Sequence, residues 1–189
     1  MPGQLMRIAA ARAARGLVAA GVLALGAPAG PATARPLAVE DILQRANFGA
    51  VQVAPGGRWL LVEQRVPIAA GARFDFGALN RLFRTTLMVA DLHADGRLRP
   101  LFRSDPGAGY QAGPISPDGT RVVVYRLTDA RFELGIATFA TGTVRWLGIV
   151  PDAPSATRTL QWRSPDELLA ITLPAGALPY DVRAMRPQA

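Results

Sequence analysis

The chain contains no cysteine, no lysine and a single histidine, His93. Without cysteine no disulfide can form, so any exported form must hold together by core burial alone. The same absence removes thiolate metal sites, and one histidine leaves only carboxylates as ligands, so neither a metal nor another cofactor is expected. All 21 cations are arginines, scattered without a basic run and without interleaved aromatics, which make up 7% of the chain. That pattern carries no nucleic-acid footprint.

Long apolar runs are also scarce. The main one is Gly16–Ala34, 19 uncharged residues preceded by Arg7, Arg12 and Arg15. Alanine and glycine dominate it, and Pro28 and Pro31 break its second half, so it is a poor spanning helix. A membrane anchor is the competing reading. The basic start, the apolar middle and the small-x-small triplet Ala32-Thr33-Ala34 instead predict a signal peptide over residues 1–34, cleaved after Ala34. No cysteine follows for lipid attachment, and no Arg-Arg pair precedes the run, so the general export route to the periplasm or exterior is expected. Losing three of 21 arginines leaves 18 against 14 acidic residues, a net charge of +4.

What the chain does have is a repeated phrase. Ala54-Pro55-Gly56-Gly57 precedes Arg58–Val62, Ser116-Pro117-Asp118-Gly119 precedes Arg121–Tyr125, and Ser164-Pro165-Asp166-Glu167 precedes Leu168–Ile171. Each is a tight turn feeding an apolar strand. Gly96 to Gly142 spans 46 residues and Gly119 to Glu167 spans 48, a period suited to four-stranded propeller blades. The interval Gly57–Gly96 is 39 residues against 23 for Gly119–Gly142, so one insertion near Pro67–Arg84 absorbs the difference. The expected fold is all-β: about two and a half antiparallel blades of an incomplete propeller over residues 35–189, after a short helix at Leu37–Leu43. Blade one covers about 50–104, blade two about 110–150, and a third begins at about 158–173. An ordinary β-sandwich with regular turns is the alternative.

In such a meander alternate connections share an end. The short Pro-Gly and Asp-Gly turns then lie at one end. The long connections Pro67–Arg84, Ser104–Gly109, Thr128–Arg131 and Pro151–Arg158 lie at the other, where ligand contacts usually sit. Arg73, Asp75, Arg81 and Arg84 cluster in the insertion, and arginine forks suit peptide carbonyls and carboxylates. A solvated or locally ion-paired loop is the simpler reading and the favoured one. Trp59, Trp146 and Trp162 read as packing between blades, Asp118 and Asp166 as turn residues bonding their own backbones, and His93 as a surface residue at a strand end.

Leu37-Ala38-Val39-Glu40-Asp41-Ile42-Leu43, Phe48-Gly49 and Pro55-Gly56-Gly57-Arg58-Trp59-Leu60 together resemble the opening of the prolyl oligopeptidase (S9) family of serine peptidases. The Ser-Pro-Asp-Gly turns are similar to that family too, and also to periplasmic propellers of the TolB type. The export signal, the acidic helix and the insertion holding Arg73-Phe74-Asp75-Phe76-Gly77 look closest to the lasso-peptide isopeptidase branch. The resemblance implies a propeller standing before an α/β-hydrolase domain that carries a Ser, Asp and His triad, with the propeller filtering access to a peptide substrate. This sequence departs from that pattern: it contains no Gly-x-Ser-x-Gly elbow, and Ser116 and Ser164 stand in repeat turns. The chain is therefore expected to lack catalytic residues and to act as the gating portion of a larger exported enzyme, whose lasso or other peptide substrate and hydrolase domain would be its partners. A non-catalytic TolB-like protein-binding module is the second reading, and a truncated, non-functional product the third. An unclosed set of blades is also expected to be poorly soluble alone.

Overall fold

The computed structural model describes residues 36–71, 75–152 and 159–184. The expected leader at residues 1–34 and the candidate Arg73 lie outside this set. Among the described residues no helix is long and apolar enough to cross a membrane. The fold is mostly β, with antiparallel sheets and a few short helices.

Strands β1 (Asn47–Val53), β2 (Trp59–Arg65), β3 (Thr85–Asp91) and β4 (Arg99–Pro100) form a first sheet in chain order. Strands β5 (Gly109–Ile115), β6 (Arg121–Leu127), β7 (Phe132–Thr138) and β8 (Val144–Trp146) form a second with the same up-and-down order. Both begin with a register shift in the first strand, between Phe48 and Val51 and between Ala112 and Ile115. Farther along, the parse departs from expectation. The expected second blade, at about 110–150, breaks near its end at Gly148, which takes φ +68°. The strand after the break, β9 (Val150–Pro151), leaves the second sheet. Two short pairs follow: β10 (Leu160–Trp162) with β11 (Leu168–Ala170), and β9 with β12 (Thr172–Leu173).

The three proline turns stand in a row. Ala54 and Ser116 each donate their N–H five residues on, to Trp59 and Arg121, at 2.8 Å, and Gly57 and Gly119 close the inner bonds onto Ala54 and Ser116. The third turn is tighter, because Ser164 donates to Glu167 instead. Gly119 holds φ +69° and lies so close to the Pro55 carbonyl that a Cβ there would overlap it. Arg121 reaches on to the Pro165 carbonyl and, at 3.0 Å, to Asp166 Oδ1. Among the first strands, Gln52 Nε2 donates to the Gly113 carbonyl at 3.4 Å and Trp162 Nε1 donates to Pro114 at 3.0 Å, so β1, β5 and β10 are neighbours.

Two cores result. Trp59, Leu61, Leu87 and Val89 of the first sheet pack on Tyr110, Val122 and Val124 of the second, with Trp59 stacked on Phe139 at 5.9 Å. The far face of the second sheet, Val123, Tyr125, Leu127, Phe132 and Leu134, packs on Leu160 and on Val182 of α4 (Tyr180–Ala184). Glu63 stitches the sheets together. Its side chain is only 5% exposed, and it accepts N–H bonds from Ala50 at 3.1 Å and Ala112 at 2.9 Å, with Arg65 Nη2 at 3.3 Å. A Cβ on Gly49 would push aside the ends of the Glu63 and Arg65 side chains.

The opening helix forms over Val39–Leu43, capped by the Ala38 N–H to Asp41 Oδ2 at 2.9 Å. It buries none of its residues, and Leu37 and Ile42 stay exposed.

Candidate functional site

The connections Pro67–Arg84, Ser104–Gly109 and Thr128–Arg131 lie at one end of the two large sheets, as their up-and-down strand order requires. The Pro67–Arg84 insertion is not a simple loop there. It folds as a turn of helix at Ile68–Gly71, a 3₁₀ turn at Gly77–Leu79 and a helical turn at Asn80–Phe83. Phe76, Leu79 and Leu82 are buried and belong to the core on the far face of the second sheet. The contact is tight, as a Cβ on Gly109 would come to 2.9 Å from Leu82 and Phe83. The apolar spacing of Phe76, Leu79 and Leu82 was the signal for this, masked in the sequence by the charged residues around it.

Those charged residues have separate tasks. Arg84 Nη1 donates to the Val66 carbonyl at 2.9 Å, and the Val66 N–H donates back to the Arg84 carbonyl at 2.9 Å, which fastens the neck of the insertion. The Arg81 carbonyl accepts the Thr85 hydroxyl at 2.8 Å. Asp75 and Arg81 each have an interacting partner and are half-buried.

Beside the insertion, the second sheet carries a charged clasp that spacing alone did not single out. Arg126 and Glu133 are direct cross-strand partners on β6 and β7. Arg126 Nε donates to Glu133 Oε1 at 2.8 Å, its Nη1 reaches Asp105, and its guanidinium lies 3.9 Å from the Trp146 ring centre. Trp146 in turn lies flat over Gly135, where a Cβ would strike the indole. The Asp105 N–H donates to the Tyr110 hydroxyl at 2.8 Å. Burial pushes the Tyr110 phenol above its ordinary value. For Arg126 burial acts downward, but bonding to Glu133 and Asp105 outweighs it and holds the guanidinium charged.

Two hollows share Gly176, and the second of them reaches Glu133 of this clasp. One, of about 390 Å³, is lined by Asp152, Leu173, Leu178, Tyr180 and Arg183 among others. The second, of about 320 Å³, is lined by Arg131, Phe132, Glu133, Ile149 and Val150 among others. Neither lining includes serine, cysteine or histidine. Apolar floors flanked by arginine and carboxylate suit noncovalent contact with a peptide-like chain. They offer no nucleophile and base for acyl transfer.

Ser116, Ser164 and His93 serve as turn residues. Ser116 is fully buried, its Oγ bonding Asp118 and the Arg121 backbone. Ser164 Oγ accepts the N–H groups of Asp166 and Glu167. Asp118 accepts the Thr120 N–H at 3.1 Å, as its turn position implies, whereas the Asp166 carboxylate accepts from Arg121. His93 is exposed in the turn after β3, with its N–H on Asp91 Oδ1 at 3.0 Å. Among the described residues no group of three or more metal-ligating side chains forms.

No described protein family matches the chain, and no curated protein does either. Among solved structures, two of AtxE2 isopeptidase are weakly similar. A serine-to-alanine variant with Astexin3-dC4 bound aligns at TM-score 0.43 and 15% identity, and the apo form at TM-score 0.43 and 16%. The alignments cover 71% and 70% of this chain but 23% of the isopeptidase chain in each case, so the chain spans about a quarter of the length of the structures it matches.

Proposed function

We propose that this chain is the propeller portion of an exported S9-type serine peptidase, of the lasso-peptide isopeptidase branch, and that it gates and recognises a peptide substrate. The observation carrying the reading is the row of proline turns. Pro55 abuts Gly119, and Arg121 bonds Pro165, so three repeats follow one another with their first strands adjacent. That succession, joined to the S9-like opening from Leu37 to Leu60, favours blades fanned about an axis over a two-layer sandwich. Export to the periplasm or exterior follows from the leader-like first 34 residues.

In this role the chain supplies contacts and no bond-breaking group. A peptide lying at the long-connection end would meet Arg131 and Arg183 beside apolar floors, with Arg73, Asp75, Arg81 and Arg84 in the neighbouring insertion. Hydrolysis would belong to an α/β-hydrolase domain elsewhere in the parent enzyme. The purified chain is expected to hydrolyse neither peptides nor esters. Turnover blocked by a serine-directed phosphonate would overturn that. The coding sequence after Ala189 tests the family. An encoded Gly-x-Ser-x-Gly elbow supports it. Further blades with no hydrolase region would favour a TolB-like binding module.

A further inference from the structure

Glu133 is only 7% exposed, yet just one oxygen of its carboxylate is committed. Arg126 places both Nε and Nη2 on Oε1. That guanidinium is itself fixed, with Nη1 on Asp105 and the Trp146 ring centre 3.9 Å away. Glu133 Oε2 has no partner among the described residues. A buried carboxylate ordinarily gathers donors on both oxygens, because an unmet oxygen has lost its water and gained nothing.

The hollow of about 320 Å³ leaves room for a donor there. Glu133 lines it together with Ile149, Val150 and Arg131, which stands two residues before it, at the entry to β7. Arg131 is exposed, its backbone closes a turn onto Thr128, and its guanidinium has no acidic partner among the described residues. The hollow therefore holds an acceptor without a donor and a cation without an anion. Gly148 and Gly176 also line it, and nothing among the described residues lies within 4 Å of a Cβ placed on either. Its walls are bonded to one another: β9 pairs with β12, and the Leu134 N–H donates to the Ile149 carbonyl at 3.2 Å.

We infer that this hollow is a subsite for the free C-terminal residue of a peptide. The terminal carboxylate pairs with Arg131, the N–H of the same residue donates to Glu133 Oε2, and an apolar side chain lies against Ile149 and Val150. A chain end suits the hollow because it carries an anion and an N–H on one Cα. The volume agrees, since ligand hollows run from about 300 to 1,000 Å³ and this one, at about 320 Å³, stands at the small end. A basic side chain would meet repulsion from Arg131. Arg126 is the positioning residue, as it holds Oε1 and leaves Oε2 to the ligand. On the proposed role in peptide recognition, on which this subsite rests, the chain end is the part of the substrate held here.

Fluorescence anisotropy of the full-length chain with dansyl-Gly-Gly-Leu tests this, beside the same tripeptide closed as a C-terminal amide. The free acid is expected to bind about tenfold more tightly than the amide. Arg131→Gln is expected to bring the acid down to the level of the amide. Glu133→Gln keeps an oxygen for Arg126 but turns the second acceptor into a donor, and is expected to weaken both peptides by roughly tenfold. Arg145→Gln removes the same charge from β8, outside the hollow, and is expected to change neither. Circular dichroism checks that each variant folds. Arg131 is exposed, so its variant carries the test if Glu133→Gln unfolds the chain. Equal affinity for acid and amide overturns the subsite, and so does a preference that Arg131→Gln leaves intact. Either result leaves peptide recognition by the chain standing, whereas binding of neither peptide overturns both.

Discussion

The first and second sheets share strand order, antiparallel pairing and the same opening turn, yet they are buried differently. In the second, Val122, Val123 and Val124 are all at 0% exposure, because both faces are covered. In the first, the matching stretch Leu60–Val62 is half-buried at Leu60 and buried at Leu61 and Val62, and β1 leaves three apolar side chains in solvent. Turn chemistry and strand pairing are thus enough to make a sheet, while its neighbours decide how much of it is core. A continuous apolar run such as Val122–Tyr125 marks a sheet with company on both sides.

The sharpest way to break the comparison is to truncate one aromatic residue in each sheet. Phe132 is fully buried and stacks on Tyr125 at 5.8 Å. Phe132→Ala is expected to cost about 3–5 kcal/mol in urea unfolding. Phe48→Ala, in the first sheet, should stay within about 0.5 kcal/mol at low protein concentration. Equal losses would show that the first sheet is covered in solution. Next in size is Glu63→Leu, which strands the Ala112 N–H at the seam. We expect a loss of about 3 kcal/mol and a broader thermal transition as the two sheets uncouple.

Gly57 and Gly119 sharpen the comparison at the turns. Both hold positive φ, +75° and +69°, but only Gly119 has the Pro55 carbonyl against it. Gly57→Ala should cost about 1 kcal/mol for backbone strain alone, and Gly119→Ala about 3 kcal/mol. Similar costs would mean the turns do not touch. The smallest effect is expected at Asp118, whose counterpart in the first turn is Gly56. Burial alone would raise the Asp118 carboxyl, but the Ser116 hydroxyl, Thr120 and Arg121 outweigh it and hold it below its ordinary value. A depressed carboxyl stabilises the fold above its unfolded pKa of about 4, and the contribution fades as pH falls through the lower folded value. Asp118→Asn should flatten that acid limb slightly in a pH series of melting temperatures and leave neutral stability nearly unchanged. An acid limb as steep as before would show that other carboxylates set it.

Much of this was legible in the residues. The strands expected after the first two proline turns, at Arg58–Val62 and Arg121–Tyr125, begin within a residue of β2 and β6, because local turn signals fix their starts. The outward position of His93 followed from the turn beside it. The hidden parts depend on distant partners. Nothing near Phe76, Leu79 and Leu82 reveals that a core lies beyond the second sheet to receive them. Glu63 looks like a surface residue breaking an apolar strand until Ala112, 49 residues later, supplies its hydrogen bond. The break at Gly148 is likewise set by β12, which draws β9 away. At the candidate site, the Arg126–Glu133 pairing needed the strand register, and the hollows needed the segment around Gly176.

The carboxylate at the seam also bears on how the molecule comes together. Its donors lie on two different sheets, so neither sheet alone can satisfy it. A nascent chain that had made only its first four strands would leave this carboxyl group with Ala50 and Arg65 but without its Ala112 donor, at a site destined to be dry. The first sheet is therefore expected to remain a loose intermediate until β5 arrives, and the pair to lock in a single cooperative step.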